Sequence, residues 1–85
     1  MKRIVISAVT QDNLNAIRLE MISAYFKDAF RSGNYRCHRS MDNMVKSLEI
    51  SGISESEANA VNRLVPKLWP GVQWDIKLSE YPGRR

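Results

Sequence analysis

Eighty-five residues, 44% hydrophobic and 26% charged with a formal charge of +4, describe one small globular core and exclude a disordered chain. No stretch approaches the roughly 18–20 consecutive apolar residues of a bilayer span, and the run from Ile4 to Val9 is too short for the core of a secretory leader, so a cytoplasmic protein with no membrane partner is expected. The single Cys37 and single His38 exclude an intramolecular disulfide and a Cys/His zinc set, and no cofactor is expected.

The order of patterns predicts one domain over residues 1–80 and a flexible basic tail over 81–85. Lys2 to Val9 is β-branched and nearly continuous in its apolar residues, which predicts a strand in the interior of a sheet. Thr10 or Asp12 can cap a following helix in which Leu14, Ile17, Met21, Tyr25 and Ala29 recur every three or four residues, reinforced by Leu19, Ile22, Phe26 and Phe30. Its polar side carries Asn15, Arg18, Lys27 and Asp28, and Ser32-Gly33-Asn34 ends it. That apolar arc is wider than one sheet face requires. Burial under the loop before Tyr35 is the simpler expectation, and a partner protein or a second copy is the other.

Tyr35 to Ser40 reads as a polar edge strand. Met41 to Ile50 fits two periods: Met41, Met44, Val45 and Leu48 at helical spacing, or Lys46, Leu48 and Ile50 alternating with Ser47 and Glu49. A strand is preferred because Asp42-Asn43 is turn chemistry between two short runs; residues 41–50 as a helix would give a βαααβ chain instead. Ser54 followed by Glu57 is a capping box, so a helix starts at Glu55 with Ala58, Val61, Leu64, Val65 and Leu68 as its buried stripe. Pro66 is expected to end or kink it near Val65. Trp69-Pro70-Gly71 turns the chain into Val72–Leu78, whose strict alternation predicts a half-buried strand, and both tryptophans are expected in the core.

Strand, helix, two strands, helix and strand in this order predict an α+β domain of the ferredoxin-like split βαβ type (βαββαβ), an antiparallel sheet with two helices on one face. The first and third strands then lie inside and the second and fourth at the edges. Pairing of Val72–Leu78 with Ile4–Val9 is required. The run Leu48-Glu49-Ile50-Ser51-Gly52-Ile53-Ser54-Glu55, a strand passing through a short turn into a capped helix, resembles the DinI-like proteins, small modulators of RecA. That family closes with an acidic helix, whereas this chain closes with a strand and a basic tail, so the resemblance implies nothing about activity.

Chemistry is sparse. Adjacent strand residues point to opposite faces, so Cys37 and His38 cannot form a thiolate–imidazolium couple. Glu55 and Glu57 are explained by capping, and Gly33, Gly52, Gly71 and Gly83 are scattered at turns and make no phosphate loop. No enzyme is expected. Lys27, Arg31, Arg36, His38 and Arg39 lie in one stretch whose only acid is Asp28, and they form the candidate binding patch, extended by Arg84 and Arg85. The competing explanation is a solvated edge strand whose charges block sheet association. A stacking platform for RNA is missing, since the inner strands offer Val5, Ser7, Val9, Ser47 and Glu49. The expected function is that of a non-catalytic module, a regulator or inhibitor that docks on a partner protein, with nucleic-acid binding through the basic patch as the alternative. A chain this short buries only about 60–65% of its unfolded surface, so a homodimer is also an expected state.

Overall fold

Alternating and helical periods resolve into six elements: β1 (Lys2–Ala8), α1 (Asn13–Ala29), β2 (Asn34–Arg39), β3 (Val45–Ile53), α2 (Glu55–Leu68) and β4 (Trp74–Glu80). The structure is a computed structural model and describes residues 1–82. Residues 83–85, with Arg84 and Arg85, lie outside the described residues. Tyr81, assigned to the tail by sequence, is half-buried, and its amide donates to the Met1 carbonyl at 2.9 Å.

The strands form one antiparallel sheet in the order β2-β3-β1-β4. This is the ferredoxin-like split βαβ order, with residues 45–53 in strand rather than helix. β1 is central because its even-numbered residues are apolar: Ile4 faces Ile50 on one side and Leu78 on the other, Ile6 faces Leu48 and Ile76, and Ala8 faces Trp74. Both helices cover that face. Ile4, Ile6, Val45, Leu48, Ile50 and Ile53 of the sheet meet Ala16, Leu19, Ile22 and Phe26 of α1 and Ala58, Val61 and Val65 of α2 in one core. The seven sheet and α1 side chains Ile4, Ile6, Leu19, Ile22, Phe26, Leu48 and Ile50 have no exposed surface, so truncating any one of them leaves a cavity costing about 2–5 kcal/mol.

The helix starts are set by side-chain caps. Asp12 accepts from the Asn15 amide at 2.8 Å, and Ser54 and Glu57 form a reciprocal capping box at 3.1 and 2.9 Å. Of the two outcomes expected at Pro66, an end or a kink, the end does not occur: α2 runs on to Leu68. Pro66 lies on the exposed side one turn from the helix end, where the carbonyl it leaves without an amide partner belongs to exposed Asn62, and the Trp69 amide still reaches the Val65 carbonyl at 3.0 Å.

Two irregularities shape the strands. Gly52 has φ of 71°, and the β1–β3 register shifts between Lys2 and Arg3, so Gly52 is the extra residue of a bulge that a side chain would strain. A second shift between His38 and Arg39 follows the turn through Asn43, itself at φ 69°.

The largest departure from expectation is in α1. Ala16, Leu19, Ile22 and Phe26, with Asn15 and Ser23, face the sheet, while Leu14, Ile17, Met21 and Tyr25 remain 53, 55, 53 and 46% exposed. At about 100° per residue the two sets occupy nearly opposite arcs of the helix. The loop before Tyr35 does not cover the outer set. Trp69 and Trp74 are half-buried at the margin of the core, and Leu68 and Leu78 are exposed.

Candidate functional site

The five basic residues singled out in the sequence do not share one face. Lys27 is exposed on α1 and Arg31 in the turn after Phe30. Arg36 and His38 stand on the sheet face that no helix covers, opposite Glu49 and Ser47. Arg39 shares the parity of Tyr35 and Cys37 and so stands on the helix side, where Nη2 donates to Glu20 Oε2 of α1 at 2.6 Å and Nη1 to the Asn43 carbonyl at 3.2 Å. Strand alternation therefore separates Arg39 from Arg36 and His38.

Strand pleating builds the uncovered face in three register rows: Asn34–Ser51–Arg3–Ser79, Arg36–Glu49–Val5–Lys77 and His38–Ser47–Ser7–Asp75. Glu49 is its hub. His38 Nε2 lies 3.0 Å from Glu49 Oε1, and Arg3 Nη1 lies 3.9 Å from Oε2. Lys77 and Asp75 are 3.9 Å apart. Three fixed cations thus share the face with two carboxylates, so its field is mixed rather than strongly basic. A pocket of about 400 Å³ between Asn34, Tyr35, Arg36, Glu49, Ser51 and Tyr81 opens at its β2 end. Sequence reasoning missed Arg3, Lys77 and Tyr81 as members of this face. Pleat parity finds Arg3 and Lys77 once the strand order is known; nothing local marks Tyr81.

The second surface is apolar. Met21, Ala24, Tyr25, Ala29 and Trp69 line an open groove of about 590 Å³ with Asp28 at its rim. Tyr25 packs edge-on against Phe26 and Trp69, with ring centroids 5.0 and 5.9 Å apart. The Trp74 indole donates to the Trp69 carbonyl at 3.2 Å, which ties the α2 end to β4. Asp28 takes part in no ion pair among the described residues.

Titratable groups serve the frame. Burial, with Glu57 nearby, pushes the Tyr35 phenol up to about 12, and its hydroxyl donates to the Phe26 and Phe30 carbonyls at 2.6 and 2.9 Å. The Lys2–Glu80 ion pair joins β1 to β4, holding the ammonium above and the carboxyl below its ordinary value. The Ser40 hydroxyl lowers Asp42. Among the described residues no three His, Cys, Asp or Glu gather as a metal set. Half-buried Cys37 packs against the core, on the other side of β2 from His38. Among the described residues no helix is long and apolar enough to cross a membrane.

No protein-family model matches this chain. No curated protein matches it either. Among solved structures it is similar to a de novo designed protein with a ferredoxin fold, determined by solution NMR, at 12% identity and a TM-score of 0.45, covering 99% of this chain and 87% of that one.

Proposed function

We propose that the protein is a non-catalytic binding module of the regulator or inhibitor kind, docking on a partner protein through the outer face of α1. The observation that carries this reading is the groove of Met21, Ala24, Tyr25, Ala29 and Trp69, continued along the helix by exposed Ile17 and Leu14. Large apolar side chains spaced along one helix face, on the side away from the core, keep apolar surface in water that docking would bury at about 25 cal/mol per Å². The lone carboxylate of Asp28 in an otherwise apolar lining selects the occupant. It is an amphipathic helix that lays apolar residues into the groove and a Lys or Arg beside Asp28.

An isotope-labelled sample titrated with a helical leucine–lysine peptide should show amide shifts confined to Met21–Ala29 and the Trp69 indole. Met21→Glu should abolish them with an unchanged circular dichroism spectrum. An equal response to a leucine–glutamate peptide, or shifts centred on Arg36 and Glu49, would overturn the reading.

Nucleic-acid binding is the second reading, favoured by Arg3, Arg36, His38 and Lys77 on the uncovered sheet face. It is weakened by Glu49 at the centre and by the engagement of Arg39 with Glu20. It requires a mobility shift that falls steeply with salt and is lost in the Arg36→Ala, Arg39→Ala double variant.

A further inference from the structure

The outer edge of β4 is a strand margin with no neighbour among the described residues. Its hydrogen-bonding groups can be assigned from the ladder. The Val9 amide donates to the Gln73 carbonyl and the Tyr81 amide to the Met1 carbonyl, both at 2.9 Å, so the odd-numbered residues of β4 bond to β1. The amides and carbonyls of Trp74, Ile76, Leu78 and Glu80 therefore point outward.

We propose that these groups pair with the same strand of a second copy, making an antiparallel β4–β4 dimer with one continuous eight-stranded sheet. The sequence Trp74-Asp75-Ile76-Lys77-Leu78 is self-complementary about Ile76. With Ile76 opposite its own copy, Trp74 meets Leu78 twice on the helix side, and Asp75 meets Lys77 twice on the uncovered side. Ile76 and the two Trp74–Leu78 pairs fall at hydrogen-bonded positions. The two Asp75–Lys77 pairs fall at the non-hydrogen-bonded positions, where side chains approach most closely. Charge disfavours the two adjacent registers: centring the pair on Asp75 sets carboxylate against carboxylate, and centring it on Lys77 sets ammonium against ammonium. The pairing covers Leu78, now 41% exposed, and the partly exposed Trp74 and Ile76.

Such a two-fold contact is closed, so it ends at two chains. It uses neither the α1 groove nor the basic residues of β2, and it stands or falls independently of the proposed function.

Light scattering after gel filtration, over a dilution series from millimolar to micromolar, gives the mass of the native chain and three variants. Wild type should reach the mass of two chains. Asp75→Lys and Lys77→Asp should each raise the dissociation constant by about tenfold or more, because two opposite-charge pairs become two like-charge pairs. The double exchange Asp75→Lys with Lys77→Asp recreates both pairs and should restore the dimer. Unchanged thermal melting of the diluted variants separates lost pairing from lost folding. A wild type that stays monomeric at millimolar concentration overturns the proposal. So does a dimer indifferent to both single exchanges but dissolved by Ile17→Glu, or a ladder of larger species of the kind that β4-to-β2 pairing would build.

Discussion

β2 and β4 are the two margins of one sheet, six and seven residues long, yet their side chains set opposite conditions for a neighbour. β2 presents Arg36, His38 and Arg39, pairs with β3 through a register shift, and is strapped to α1 through Tyr35 and through the Arg39–Glu20 pair. An antiparallel copy of β2 centred on Arg36 sets guanidinium against guanidinium. β4 has no bulge in its ladder with β1, alternates evenly, and carries Asp75 and Lys77 placed to answer each other across a two-fold. A charged, irregular edge resists pairing and a regular, half-apolar edge invites it. The contrast teaches that edge protection can be spent on one side of a sheet and withheld from the other.

The comparison assumes that both margins hang from the same interior, and the largest effect tests that. Leu48 sits in β3, facing Ile6 and Cys37, with no exposed surface. Leu48→Ala should cost about 2–5 kcal/mol in urea unfolding, with both margins lost in one transition. Retention of Trp74 fluorescence after β2 has melted would show that the margins are separate units.

A smaller effect isolates the β2 side. Tyr35→Phe removes the bifurcated hydrogen bond to the α1 end and should cost about 1 kcal/mol, leaving the mass of the assembly as in wild type. The sign of its pH dependence follows from the raised phenol. The folded state holds the proton more tightly than the unfolded chain does, so the stabilisation is fully present below the ordinary value of 10 and disappears as pH rises through about 12. Alkaline titration of the melting temperature should therefore fall less steeply in Tyr35→Phe than in wild type.

The smallest effect concerns the exposed Arg39–Glu20 pair. Glu20→Gln should change stability by about 0.5 kcal/mol or less, since exposed ion pairs contribute little. Its effect should vanish in high salt. A larger loss would mean that the bulge itself depends on this contact.

Much of the frame was legible from residues alone. The even spacing of Trp74, Ile76 and Leu78, the β-branched run of β1 and the Ser54–Glu57 box each point to one element type, and the strand order follows from them. The burial of α1 was not legible, because Leu14, Ile17, Met21 and Tyr25 have the same period as Ala16, Leu19, Ile22 and Phe26. Two apolar arcs of equal period differ only in which one the sheet meets, and that is a tertiary fact. The scatter of the basic residues was legible within β2, from alternation, but not between β2 and α1. Alternation along β2 sets Arg39 with Tyr35 and Cys37, away from Arg36 and His38, and Glu49 becomes a hub only once Arg3 arrives from a distant strand.

Amide hydrogen exchange at high and at low protein concentration tests the asymmetry of the two margins most directly. The outward amides of Trp74, Ile76 and Leu78 should exchange freely in dilute solution and gain protection on concentration, while the amides of β2 exchange alike at both concentrations. Equal behaviour of the two strands, or protection appearing on β2 instead, would contradict the account.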